Sequence, residues 1–326
     1  MAQDNLTLLD VAKRLDPDGS ASAIAELLGQ DNEILTDMPF VEGNLPTGHR
    51  VTVRTGLPDV AWRKLNQGVP ASKSRTEQID EACGLLEARG EVDCELANLN
   101  GNTTAFRMQE NAAFIEALNQ QMASTMFYGD TAVTPERFLG LSTRFSSLSA
   151  ENADNIVTGG GASNLTSIWL VGWAPSKVFG IYPKGSKAGL THKDLGEGDA
   201  FDASNNRFRA YMDQYVWRNG VAVQDWRYVV RIPNIDVTAL TKGATAGADL
   251  IDLMTRSLER IQSLTGVTPA FYCNRTIRSF LRRQVVNKVS NSTLSIDAVG
   301  GKPTLSFSEV PVRRVDALLN TESVVA

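Results

Sequence analysis

The side chains best suited to nucleophilic or proton-transfer chemistry near neutral pH are few in this sequence: two histidines, His49 and His192, and three cysteines, Cys83, Cys94 and Cys273. A Ser-His or Cys-His pair has little to be built from, and there is no G-x-S-x-G elbow. His49 follows Gly48 at the entrance to a strand and His192 sits in a polar stretch, so both read as turn or surface residues. The cysteines are odd in number and show no C-x-x-C spacing, which fits neither a disulfide framework nor a zinc ribbon and points to reduced thiols. Carboxylates are numerous, but no pair is singled out for acid–base work and no metal-ligand cluster shows. Gly180 to Lys187 has the glycine spacing of a phosphate-binding loop, yet Ser186-Lys187 reverses the required order, so it reads as a turn. Gly196-Glu197-Gly198 lacks the third glycine of a dinucleotide fingerprint. No cofactor and no metal is expected. Arg275, Arg278, Arg282, Arg283 and Lys288 line one helix face that could meet phosphates or acidic neighbours, although a solvated face is the plainer reading.

The composition sets further bounds. The chain has 326 residues, with 32 Lys plus Arg against 37 Asp plus Glu for a formal charge of −5, which argues against a dedicated nucleic-acid binder. Hydrophobic residues make up 42% and charged residues 21%, the balance of an ordinary globular chain rather than a disordered one. No apolar run reaches the roughly 18–20 residues needed to cross a bilayer; Ile168 to Ala174 is of strand length. Asp4 and Asp10 stand where a signal peptide would be basic and then apolar, so a soluble intracellular product without membrane contact is expected.

The elements that would position any site fall into distinct stretches. Residues 1–48 carry short helical pieces, Asn5 to Leu15 and Ser20 to Leu28, separated by Asp16-Pro17-Asp18-Gly19 and closed by Gly29. Each has an apolar stripe too short to stand alone, so the segment reads either as an arm lying on its own or a neighbouring subunit, or as a helical cap on its own core. From His49 the pattern becomes extended: Arg50 to Arg54, a Gly56-Leu57-Pro58 turn, a strand over Val60 to Lys64, a polar tip from Asn66 to Ser74, and an extended return toward Val92. This predicts a long hairpin, polar on both faces, that needs a partner surface. Phe106 to Tyr128 is the clearest helix, with Phe114, Leu118, Met122 and Met126 as an apolar stripe, Ile115 beside them, Glu116, Asn119, Gln120 and Ser124 opposite, and Gly129 as its stop. Strands are expected over Ser167 to Trp173, Val178 to Tyr182, Phe208 to Arg218 and Val221 to Ile232, interrupted by the polar run Lys184 to Asn206. Helices follow over Ala248 to Leu264 and over Arg275 to Val286, the latter capped by Asn274, and then strands near Thr304 to Phe307 and Val310 to Val315.

Several of these segments come in a telling order. Phe271 to Leu281, then Gly300-Gly301-Lys302-Pro303-Thr304-Leu305, then Val310-Pro311-Val312 resembles the end of tailed-bacteriophage major capsid proteins. Phe127-Tyr128-Gly129-Asp130, with Gly140-Leu141 soon after, looks like that family's exit from its long spine helix. The resemblance implies an α+β Hong Kong 97-type capsid fold with an N-terminal arm (1–48), an extended β-hairpin loop (49–93), a peripheral domain with the spine helix (94–145), an axial domain (146–299) and C-terminal strands returning to the peripheral domain (300–326). Residues 150–250 match least. The implied function is a structural protein rather than an enzyme: a shell subunit of a tailed double-stranded DNA phage, forming pentamers and hexamers of an icosahedral capsid around the genome. An encapsulin-like compartment shell and an enzyme of unknown class are the competing readings. Implied partners are identical subunits, a portal, separate scaffolding and decoration proteins, and non-specific contact with packaged DNA, with the virion assembled in the host cytoplasm. No catalytic, cofactor or metal residues are expected; the candidate contact residues between subunits are Trp62, Arg63, Lys64, Asn66, Gln67, Gly68 and Lys73 on the hairpin. Trp62 flanked by cations reads as an anchor onto a neighbour, with a plug into its own subunit's core as the competing reading.

Overall fold

The computed structural model describes residues 29–98, 103–202, 204–240, 247–286, 294–299 and 302–326. The helical pieces expected within residues 1–28, and Lys288, lie outside these. An apolar run sets the centre: β5 (Leu165–Trp173) is buried at all nine positions, as a strand covered on both faces must be. It lies in a six-stranded sheet ordered β11 (Leu294–Val299), β12 (Lys302–Phe307), β13 (Val310–Arg314), β10 (Thr268–Cys273), β5 and β9 (Val229–Asp236). Only β10 and β13 pair in parallel there. A five-stranded sheet runs β1 (Phe40–Glu42), β6 (Val178–Tyr182), β8 (Arg207–Val223) and β4 (Gly84–Asp93), with β7 (Leu190–Phe201) also on β8. β2 (Gly48–Gly56) and β3 (Arg75–Ala82) pair only with each other, as an antiparallel ribbon. Among the described residues the α-helices are α1 (Ile34–Asp37), α2 (Cys94–Asn98), α3 (Thr103–Tyr128), α4 (Leu141–Arg144), α5 (Leu250–Arg260) and α6 (Arg275–Val286).

At 1.5 Å per residue, the 26 residues of α3 span about 39 Å. Its C-terminal half enters the core through Met122, Ala123, Met126 and Phe127, where the Phe127 and Phe145 rings lie 5.9 and 6.1 Å from that of Trp169. Gly129 ends the helix, its N–H bonding Thr125 O at 2.8 Å. A Cβ on Gly129 would sit 2.2 Å from Phe138 O, so the returning chain can pass only over glycine. Leu118 is buried on the expected stripe and Phe114 partly so, whereas Ile115 is 47% exposed. Leu118→Ala should therefore lower subunit stability by about 2 to 5 kcal/mol, and Ile115→Ala by under about 0.5 kcal/mol. Denaturant melts that gave the two equal losses would show that the buried face is wrongly assigned. Glu116 is not a solvated residue as expected: it is half-buried and accepts the Gln30 backbone N–H at 2.7 Å and the Gln120 amide at 2.8 Å.

Four stretches differ from the sequence expectation. Val60 to Lys64 is irregular, because the stretch that would oppose it holds Gly68, Pro70 and serines and offers no ladder. Lys184 to Asn206 is not one loop: its first residues turn, β7 then pairs along β8 from Leu190↔Trp217 to Phe201↔Arg207, and the hairpin closes where the Asp202 N–H bonds Asn206 O at 2.9 Å. Most of β7 is solvent-exposed, so no apolar period reveals it. The break expected between Arg218 and Val221 is absent. β8 runs through Gly220, where a Cβ would lie 2.7 Å from Ala82 O; this glycine admits a close backbone rather than a turn. The chain breaks instead at the 3-10 turn Trp226–Tyr228. α5 stops at Arg260 rather than Leu264, since Ile261 leaves helical geometry at ψ 126°. The Asn274 cap of α6 holds, with its Oδ1 accepting the Ile277 N–H at 2.9 Å.

Candidate interaction surface

The ribbon of β2 and β3 is the element with least to bury against itself. β3 is exposed at every position but Glu81. Alternation along β2 places Val51 inward opposite Ile79, and exposed Arg50 is held to its cross-strand partner Asp80 by two bonds of 2.6 and 2.7 Å. The guanidinium hydrogen bond keeps the Asp80 carboxyl below the usual carboxylate range. The ribbon's root is fixed more firmly. Buried Glu81 receives both terminal nitrogens of Arg144, at 2.5 and 2.6 Å, and Arg144 also donates to Val221 O at 3.1 Å. The paired fork geometry makes this a directional tie between ribbon and body. A Cβ at Gly48 would lie 2.0 Å from Glu81 O, so the two strands can start this close only at glycine.

Beyond the ladder, residues 57–74 form a tip without strand structure. Ser72 Oγ closes it by donating to Asp59 O at 2.7 Å, and Gln67 N–H reaches Lys64 O at 3.3 Å across a turn that puts Asn66 at φ 64°. All seven candidate contact residues, Trp62, Arg63, Lys64, Asn66, Gln67, Gly68 and Lys73, lie together on this tip and all are exposed. Trp62 is 104% exposed and touches no core of its own subunit; Leu57, Val60 and Leu65 are each at least 80% exposed beside it. Arg54, Arg63, Lys64, Lys73 and Arg75 surround these apolar groups against one carboxylate, Asp59. None of the five is in an ion pair among the described residues. Under the ribbon a cleft of about 530 Å³ is lined by Arg54, Lys177, Trp226 and Arg227, with Asp225 held between Lys177 (3.0 Å) and Arg227 (2.9 Å). The tip thus groups exposed apolar side chains with cations that make no ion pair, the kind of patch that is rare on a surface facing only water.

The other chemical groups among the described residues are taken up in pairing and burial. His192 lies on β7 rather than in a loop; its Nε2 is 2.8 Å from Asp213 Oδ1, and its ring stacks on Tyr215 at 4.7 Å. Arg107 bridges Asp213 and Asp194 at 3.0 Å each, so the cluster ties α3 to β7 and β8. Burial pushes the Cys83 thiol up to about 11 and the Cys273 thiol up to about 12, and it raises Cys94 as well. All three stay protonated and unreactive at neutral pH. Changing all three to Ala should leave assembly intact, with a packing loss on the order of 1 kcal/mol per buried site; loss of assembly by a folded triple variant would contradict this. On α6, Arg275 pairs with Asp316 at 3.0 Å and Arg278 with Glu33 at 3.4 Å, so part of that cationic face is spent within the chain. Among the described residues no group of His, Cys, Asp or Glu is placed to hold a metal ion, and no helix is long and apolar enough to cross a membrane.

The sequence did not reveal one buried cluster. Arg231 and Glu322, each 4% exposed in the side chain, pair at 2.9 Å. Ser167 also donates to Glu322, Tyr128 Oη reaches its other oxygen at 2.5 Å, and Arg231 donates to Phe145 O at 2.7 Å. The cluster fastens the C-terminal segment across β5 and β9. A lone arginine within the apolar run Val229 to Ile232 was the available signal, since such a charge is buried only with a partner.

Comparison with known proteins adds a relationship across the whole chain. The family model described as "Major capsid protein GP7" matches residues 16–326. A chain of the bacteriophage Epsilon15 structure is 35% identical, with a TM-score of 0.78 and coverage of 100% of this chain and 98% of that one. The bacteriophage JBD30 capsid is similar in fold alone, at 10% identity, a TM-score of 0.50 and coverage of 90% and 92%. No curated protein sequence matches.

Proposed function

Since the chain belongs to the GP7 family of major capsid proteins and has a Hong Kong 97-like, mixed α+β capsid fold, we propose that its copies build their shell by laying the cationic, tryptophan-bearing tip of residues 57–74 on a neighbouring subunit. The protein is the major capsid protein of a tailed phage, a structural component of the virion rather than an enzyme. The observation that carries the proposal is Trp62, wholly exposed on a ribbon that has no surface of its own to cover it. The expected arrangement is pentamers and hexamers of an icosahedral shell around double-stranded DNA, with repeated heterologous contacts closing each ring. In this reading residues 1–48 are the arm, 49–93 the extended loop, 94–145 the peripheral domain with its spine helix, 146–299 the axial domain and 300–326 the returning strands.

A net charge of −5 suits a wall that must release its genome, with only scattered cations meeting phosphate. A portal, scaffolding and decoration proteins as separate chains where the shell uses them, and assembly in the host cytoplasm complete the proposal. Sedimentation and electron microscopy of the purified protein test it. Capsomers or closed shells are the expected result, and a monodisperse monomer at every concentration and ionic strength would overturn the assembly reading.

A further inference from the structure

The long strand β8 has a neighbour on each side, and the two neighbours end the sheet differently. β7 is blunted, as edge strands commonly are: its ladder is interrupted between Asp194 and Gly196, where Gly196 takes φ 73° and its N–H turns back to Asp194 Oδ1 at 2.8 Å. β4 has no such device. It keeps one register from Gly84↔Asn219 to Asp93↔Ala210, and among the described residues its outer edge makes no backbone hydrogen bond. A flat edge with its backbone groups in water is a template for a further strand.

The side chains along β4 select that strand. Leu85, Glu87 and Arg89 are exposed on one face, Leu85 at 55%, while Gly90 and Val92 on the other face meet Phe114 and Phe106 of α3. Two copies of β4 running antiparallel about a two-fold axis through Ala88 would oppose Glu87 with Arg89 and Arg89 with Glu87, giving two opposite-charge pairs. A centre at Glu87 or Arg89 would oppose like charges, and a centre at Gly90 would face Glu87 with Asp93. A centre at Leu86 would leave Glu87 opposite Leu85 and Arg89 opposite Cys83. Charge therefore makes the strand complementary to itself in the register centred on Ala88.

α3 leaves room for the second sheet. It lies over both β4 and β8: a Cβ on Gly90 would sit 3.1 Å from the Phe114 ring, and that ring stacks on Tyr215 at 5.7 Å. Along the side where Phe106 packs with Val92, steps of seven and four lead to Ala113 and Ala117, both small and exposed. Two α3 helices related by the same axis can pass at the separation of roughly 8 Å that small residues permit.

We infer that β4 of one subunit pairs antiparallel with β4 of a second copy in the register Glu87↔Arg89, so that two five-stranded sheets join across a two-fold axis. The contact is isologous, and it does not depend on where the ribbon's tip lands. Heterologous contacts close rings, whereas an isologous contact joins one ring to the next.

Charge exchange tests the inference. Glu87→Arg and Arg89→Glu each set like charges opposite one another at the axis, and each should lower the yield of shells about tenfold at low salt. Glu87→Arg/Arg89→Glu restores the opposition of charges and should return the yield to the wild-type level. Melts of the dissociated subunits should stay unchanged for all three variants, since both residues are exposed. Hydrogen–deuterium exchange reads the edge itself: amides within residues 85–91 that exchange freely in the dissociated subunit should become protected in shells. Full yield from the single variants, or a double variant no better than either, would overturn the inference. So would edge amides already protected in the dissociated subunit, because β4 would then be covered by its own chain.

Discussion

Glu322→Gln should destabilise the free subunit by about 3 to 5 kcal/mol, the range measured when one partner of a buried ion pair is removed. The amide keeps the size of the carboxylate, so packing is preserved and the change isolates the charge. Arg231 would then remain almost fully buried beside Trp169, its guanidinium 5.1 Å from the ring centroid, with carbonyl acceptors but no counter-ion. Tyr128 and Ser167 would lose a charged acceptor for a neutral one. Burial, reinforced by the Glu322 charge, holds the Tyr128 phenol far above its ordinary pKa, so it serves the cluster as a hydrogen-bond donor throughout the usable pH range. Arg231→Met/Glu322→Met should recover part of the loss, since no lone charge is left inside. Denaturant melts of the wild type, Arg231→Met, Glu322→Met and the double variant form the cycle that measures the coupling. A loss under 1 kcal/mol for Glu322→Gln would mean that the arginine finds other compensation.

The elements that were readable from sequence are those whose burial is one-sided or complete. The C-terminal half of α3, the fully buried β5, β6 and the Asn-capped α6 all carry a period or an unbroken apolar run, and their boundaries came within a few residues. β7 was lost because most of its residues, on both faces, reach water along an edge strand, so polar types fill it without a period and imitate a loop. Val60 to Lys64 failed in the opposite sense, being apolar enough for a strand but lacking a partner. Glycine was ambiguous in the same way: Gly220 looks like a turn in sequence but serves a close approach inside β8. That the seven candidate residues would share one exposed tip was legible because they are neighbours in the chain. The Arg231–Glu322 pair was not, since its members are 91 positions apart and only folding brings them together. The Glu81–Arg144 tie at the ribbon's root, 63 positions apart, was hidden for the same reason.

Trp62→Ala should leave the folded subunit almost unchanged and weaken assembly severely. An exposed side chain without a core contact contributes within about 0.5 kcal/mol to its own subunit's stability, and Trp62 is wholly exposed in the isolated chain. On a neighbour's surface the same indole would be the largest apolar group of the tip, with Leu57, Val60 and Leu65 around it and Arg63 and Lys64 in sequence to orient it. Anchors of this type carry 2 kcal/mol or more per contact, and 2 kcal/mol is roughly 30-fold in affinity. Every subunit in a shell would make that contact once as donor and once as acceptor, so the loss repeats around each ring. Replacing residues 67–74 by a short Gly-Ser link should act in the same direction without touching Trp62. Charge reversal at Arg63 and Lys64 should produce a smaller effect that shrinks with added salt, because exposed ion pairs are screened. The deciding comparison is between the melting point of dissociated subunits and the yield of shells. An unchanged melt with a yield reduced tenfold or more is the expected pair of results, whereas full shell yield from Trp62→Ala would remove the tip from the list of assembly contacts.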